Sequence, residues 1–200
     1  MTKAIIRAIF IPSIGDERPT LSRRLYGGPF NRLLGGKAVA TDFEVRSLEK
    51  PDVDRCREIL NSLPDWFGIE ASNQTYIEGL SELPAAVATV DGRIVGFIAL
   101  TEHTPSSWEI YVLGVDPSLH RHGAGKALIA WAEAQCHNRN AKWLHVKTRG
   151  PLTPDPQYEK TRQFYLGCGF DTLFETLELW GPENSALIMV KFLQPGGTAA

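Results

Sequence analysis

Cysteine is scarce in this sequence: Cys56, Cys136 and Cys168 stand far apart, are odd in number and form no Cys-x-x-Cys pair. That pattern fits reduced thiols in a cytoplasm, where the chain is expected to work, rather than a disulfide framework or a zinc site. An excess of one charge is also lacking. Lys and Arg number 21 against 23 Asp and Glu, a formal net charge of −2. Nothing in that balance draws the chain to nucleic acid or an anionic membrane, and neither is expected as a partner. Long apolar runs are missing too: none approaches the roughly 20 residues that span a bilayer. The opening MTKAIIRAIFIPSIGDERP carries Arg7 inside its apolar stretch and lacks a small-residue cleavage site. It reads as neither secretory signal nor membrane anchor.

What is present is enough for one folded domain. The 200 residues are 43% hydrophobic, which allows a substantial core. Residues 1–40 differ from the rest, with Gly15, Gly27, Gly28, Gly35, Gly36, Pro12, Pro19 and Pro29 around an Arg-rich middle. They are expected to form a flexible or loosely docked arm, or an arm that packs on a neighbouring subunit or covers a cleft. The domain proper is expected over 41–195, with a disordered tail at 196–200.

From Asp42 the pattern becomes regular. FEVRSL alternates as a half-buried strand does. After Pro51, the residues Val53, Cys56, Ile59, Leu60 and Leu63 form a helical apolar stripe. A shorter helix is expected from Gln74 to Leu83. AAVATV and RIVGFIAL flank Asp91-Gly92, a strong hairpin signal. WEIYVLGV reads as a central strand buried on both faces. A loop and long helix follow in DPSLHRHGAGKALIAWAEAQCHNRN, then the strand WLHVKT. A Pro-rich loop leads to a helix over about Gln157 to Leu166 and a Gly turn at 167–169. TLFETLELW and ALIMVKFL are the closing strands. The order β-α-α-β-β-β-α-β-α-β-β predicts an α/β domain with a mixed sheet and helices on both faces.

The segment Val115-Asp-Pro-Ser-Leu-His-Arg-His-Gly-Ala-Gly-Lys126 joins a buried strand to an amphipathic helix. Glycines there let backbone N–H groups approach a phosphate, and a helix N-terminus adds unpaired donors and a favourable dipole. Arg121, His122 and Lys126 add side-chain charge. The same residues also fit an ordinary tight turn. Two other glycine motifs are excluded. A Walker A loop needs GxxxxGK followed by Ser or Thr. The dinucleotide fingerprint needs a further glycine and a later acidic residue.

The run EIYVLGVDPSLHRHGAGKALI resembles the acetyl-CoA-binding motif of the GNAT superfamily of N-acetyltransferases, Gln/Arg-x-x-Gly-x-Gly/Ala after a strand. Gly123 and Gly125 match, whereas His120 stands at the Gln/Arg position, a departure that removes one side-chain contact at most. Phe164-Tyr165-Leu-Gly-Cys-Gly169-Phe170 is similar to a second motif of that superfamily. The resemblance covers residues 42–194 and omits the arm. It implies the GNAT acyl-CoA N-acyltransferase fold, a central mixed sheet of about six or seven strands flanked by about four helices.

The resemblance further implies direct transfer of acetyl from acetyl-CoA to a primary amine in a ternary complex, with no metal. The backbone of Leu113, Gly114 and Val115 would hold pantetheine and the thioester carbonyl. The amides of Arg121, His122, Gly123, Ala124, Gly125 and Lys126 would take the pyrophosphate. Tyr165 corresponds to a tyrosine facing the CoA sulfur, as a general acid or as a packing group. Glu109, the one carboxylate of its strand, is the base candidate; alternatively it faces solvent or forms an ion pair.

Other residues carry less. His103 is expected in an exposed turn, with a base or substrate-contact role as the alternative. His145 reads as a satisfied core histidine and Cys168 as packing. Trp66, Phe67 and Trp108 line an acceptor pocket or simply the core. The acceptor is a small-molecule or peptide amine, and homodimers are common in the superfamily. A non-catalytic acyl-CoA-binding or sensor domain is the rival reading.

Overall fold

The computed structural model describes residues 42–194. The expected arm over 1–40 and tail over 196–200 lie outside these described residues. The order of elements follows the expectation: β1 (Glu44–Ser47), α1 (Val53–Asn61), α2 (Glu70–Leu80), β2 (Ala85–Val90), β3 (Arg93–Thr104), β4 (Ser107–Val115), α3 (Ala124–His137), β5 (Trp143–Arg149), α4 (Pro156–Gly167), β6 (Asp171–Thr176) and β7 (Ala186–Phe192). One seven-stranded sheet runs β1-β2-β3-β4-β5-β7-β6. Only β4 and β5 pair parallel; every other neighbour is antiparallel. The parallel pair requires a crossover, and the loop with α3 provides it.

Two apolar layers sandwich the sheet. On one face the α1 stripe of Cys56, Ile59 and Leu60 meets Ile77 and Leu80 of α2 over Val87, Phe97 and Val112. On the other, Leu128, Ile129 and Ala132 of α3 and Tyr165 of α4 pack over Ala86, Ile98, Leu100, Ile110 and Leu144. Coverage on both faces explains why β2 and the middle of β3 are continuously buried rather than alternating. Each large side chain so buried contributes roughly 1.5–3 kcal/mol.

Local chemistry sets the boundaries. Asp91 (φ 50°) and Gly92 (φ 73°) turn the β2–β3 hairpin, as the Asp-Gly signal requires. Asp155 caps α4 by accepting from the amides of Gln157 (2.8 Å) and Tyr158 (3.2 Å), with Pro156 in the first turn. Three boundaries differ from the sequence reading. β3 runs on to Thr104, because pairing with β4 continues through Thr104↔Ser107. α2 begins at Glu70 and ends at Leu80. β6 stops at Thr176 instead of running through TLFETLELW; as an edge strand it has partners on one side only, and Leu173 and Phe174 stand 60% and 54% exposed.

Candidate active site

The parallel pair β4–β5 is joined at one end only. Ser107, Trp108 and Glu109 pair with Trp143, Leu144 and His145, and beyond Glu109 the two strands share no paired residues. Six residues of β4, Ile110 to Val115, therefore run beside a cleft. A register shift against β3 accompanies the opening: Leu100 faces Ile110 but Ala99 faces Val112. Tyr111 is thus the extra residue of a β-bulge. Tyr111 and Val112 consecutively face the α1–α2 layer, whereas Ile110 and Leu113 face the α3 layer. A bulge re-aims the strand, and here it does so along the cleft wall.

β4 ends in the glycine loop. Gly123 is the N-cap of α3 with φ 109°, a conformation that L side chains rarely adopt, and no side chain caps the helix. The first intrahelical bond runs from the Ala127 amide to the Gly123 carbonyl (3.0 Å). The amides of Gly123, Ala124, Gly125 and Lys126 therefore have no intrahelical acceptor, an arrangement suited to an anion. Arg121 also has positive φ (66°). Gly125 serves a different need: a Cβ there would lie 3.0 Å from Phe164, so its smallness lets α4 pack against the first turn of α3.

The loop is clamped from both sides. Asp116 accepts from the Ser118 amide (3.0 Å) and hydroxyl (2.7 Å) and pairs with Arg55 of α1 at 2.8 Å. The Arg55 Nε donates to the Ile94 carbonyl (3.2 Å). These partners hold the Asp116 carboxyl below its ordinary range, the Ser118 hydroxyl foremost. His120 turns inward. Its Nε2–H donates to the Val115 carbonyl (2.8 Å) and its ring meets the edge of Trp66, 6.1 Å between centroids. The residue at the Gln/Arg position thus braces the loop through the last carbonyl of β4.

Tyr165 lies on α4 with its ring against Phe164 (5.1 Å) and Phe170 (5.4 Å). It is 5% exposed. Burial, with a smaller effect of Cys168, raises its pKa, so the phenol keeps its proton at neutral pH.

Glu109 is 6% exposed and stands where the cleft begins. It faces neither solvent nor an empty pocket: Oε2 lies 2.6 Å from His103 Nε2 and 2.9 Å from Lys147 Nζ. His103 is a strand residue of β3, not a residue of an exposed turn, although it is 48% exposed on its side chain. His145 is not satisfied among the described residues: its Nδ1 is buried there without a partner, and burial lowers its pKa. On the same side, Phe67, Tyr76 and Tyr111 make a chain of edge-to-face rings, 5.8 and 5.4 Å between successive centroids. Burial pushes Tyr76 up to about 12 and raises Tyr111, so both remain neutral phenols. Trp66 donates to Thr161 (2.9 Å) and ties the α1–α2 loop to α4. Trp108 is core, with Arg139 over its ring. Cys168 packs beside Tyr165 and burial raises its pKa, as suits a packing thiol.

Sequence reasoning did not find Tyr76, Tyr111, Lys147 or Arg55. Each joins the site through a register or a helix-to-strand contact that only the fold reveals. The nearest available signal was the single charged residue Lys147 in the WLHVKT strand.

Comparison with known proteins agrees with this geometry. The profile of the acetyltransferase (GNAT) family matches residues 53–170. No curated protein matches the chain. Among solved structures, a GNAT-family protein from Desulfovibrio desulfuricans aligns with TM-score 0.68 and 19% identity, over 76% of this chain and 99% of its own. The ribosomal-protein-S18-alanine N-acetyltransferase of Escherichia coli aligns with TM-score 0.61 and 18% identity, over 80% and 99%. An aminoglycoside 6′-N-acetyltransferase complexed with coenzyme A aligns with TM-score 0.62 and 17% identity, over 77% and 99%. With its splayed β4–β5 pair, its uncapped α3 and this profile match over more than half its length, the chain belongs to the GNAT family of acetyltransferases.

Proposed function

We propose that this chain is an acetyl-CoA-dependent N-acetyltransferase that acylates a primary amine by direct attack. The observation that carries the reading is the cleft. It opens where β4 leaves β5 at Glu109 and ends at the four unpartnered amides of α3. A thioester with a pyrophosphate tail needs an extended groove closed by an anion site, and the residues present fit both ends. The amides of Gly123, Ala124, Gly125 and Lys126, with Arg121 and His122 beside them, would take the pyrophosphate. The β4 backbone from Leu113 to Val115 would align the pantetheine. Acetyl-CoA supplies an activated acyl group and a thiolate leaving group.

The chain's own residues have three tasks. The amine must lose a proton, the carbonyl oxygen must be held as charge develops, and the thiolate must gain a proton. Tyr165, a buried and protonated phenol, is suited to the last. Glu109, a carboxylate at the point where β4 parts from β5 and in contact with His103, is suited to the first. The aromatic row Phe67–Tyr76–Tyr111 forms the wall on which an acceptor would lie. Small-molecule and peptide amines both fit an uncharged aromatic wall.

The test is a thiol-release screen of amines with acetyl-CoA, wild type beside Tyr165→Phe. Amine-dependent CoA release, cut about tenfold or more in the variant with acetyl-CoA binding retained, is expected. Binding of acetyl-CoA without turnover on any amine would replace this reading with an acyl-CoA sensor.

A further inference from the structure

Four side chains from three adjacent strands meet at the closed end of the cleft. Glu109 of β4 is directly opposite His145 of β5 and Thr101 of β3. Lys147, two residues on from His145, shares its face, and His103 is the extra residue of a second register shift, between Glu102 and Thr104, that brings its ring to Glu109 and His145. The donor atoms of His103, Glu109 and His145 all lie within 4.8 Å of one another. The two imidazole rings face each other at 5.2 Å with a 32° tilt.

A second observation points to a missing partner. His145 Nδ1 is buried with no hydrogen-bond partner among the described residues, a state that costs stability unless a ligand relieves it.

We infer that His103, Glu109 and His145 form a site for one divalent transition metal of the zinc class, and that the metal, by taking Glu109, switches off acyl transfer. Two imidazoles and a carboxylate are a donor set for Zn²⁺ or Co²⁺, whereas Mg²⁺ and Ca²⁺ call for oxygen. Zn–N bonds of about 2.0–2.1 Å place tetrahedral ligands about 3.4 Å apart. The 2.6 Å His103–Glu109 contact must therefore open by about an ångström to admit the ion, and the half-exposed His103 is the member free to move. Lys147 Nζ lies 2.9 Å from the same carboxylate oxygen, and at 32% exposure it can swing to water. A lysine and a metal thus compete for one carboxylate. The inhibition rests on the proposed role of Glu109; the metal binding does not.

The experiment titrates Co²⁺ into the full-length protein, read by its visible ligand-field absorption, with Zn²⁺ displacement and Mg²⁺ as control. One Co²⁺ per chain is expected, with no thiolate charge-transfer band and no response to Mg²⁺. His103→Ala and His145→Gln should each weaken binding at least about tenfold, as even loss of outer-shell partners does, while Lys147→Met should tighten it. Thermal unfolding without metal verifies that each variant is folded. Absence of Co²⁺ binding in wild type, or equal binding in both histidine variants, would overturn the inference. Zn²⁺ should also abolish amine-dependent thiol release. Metal binding in a protein that shows no turnover would sink only the proposed activity, and turnover without metal binding only this inference.

Discussion

Replacing Gly123 by alanine separates backbone geometry from crowding. A Cβ there would meet nothing nearer than Phe43 at 3.7 Å, so no clash is introduced. The penalty is the backbone: φ 109° lies where an L residue is strained by about 1–3 kcal/mol. Loss of chain entropy in the unfolded state returns roughly 0.4–1 kcal/mol of that. A net loss of about 1–2 kcal/mol lowers Tm by about 2–8 °C in a domain of this size. If the loop instead relaxes to relieve the strain, the amides at the start of α3 move and acetyl-CoA binding falls by about tenfold, equivalent to about 1.4 kcal/mol. Gly167→Ala is the control. That residue ends α4 with ordinary helical φ and open space around it, so alanine should be neutral or stabilising by up to about 1 kcal/mol. Differential scanning fluorimetry with and without acetyl-CoA reads both variants. A Gly123→Ala protein with wild-type Tm and wild-type acetyl-CoA affinity would refute the reasoning.

Two further outcomes are expected. Glu109→Gln should remove a limb of the pH–rate profile of amine acylation, and an unaltered profile would retire Glu109 as base. Burial depresses the His145 pKa in the folded protein, so the unfolded chain binds its proton more readily. Stability should therefore be full above about pH 6.5, the unfolded value, and fall as pH drops through the lower folded value. Chemical denaturation should show that loss flattened in His145→Gln.

The architecture was largely legible because its signals are local. The Cys56–Leu63 stripe, the Asp91-Gly92 turn and the Asp155-Pro156 start of α4 each fix an element within a few residues. The glycine loop was legible for the same reason, although Gly125 proved to be a packing contact with Phe164. What stayed hidden depends on strand register. His103, Glu109, His145 and Lys147 are up to 44 residues apart in sequence, by their numbers, yet meet through pairings of β3, β4 and β5. The bulge at Tyr111 leaves no mark in an apolar run, and the inward turn of His120 depends on a carbonyl five residues before it.

The central claim is that the cleft and the start of α3 hold acetyl-CoA. Calorimetric titration of the full-length protein with acetyl-CoA, and with CoA, tests it most directly. One site per chain for both ligands, lost in Gly123→Glu, is the expected result. A folded wild-type protein that takes up neither ligand would mean that the Gly123–Gly125 loop is only a turn, and the proposed activity would fall with it.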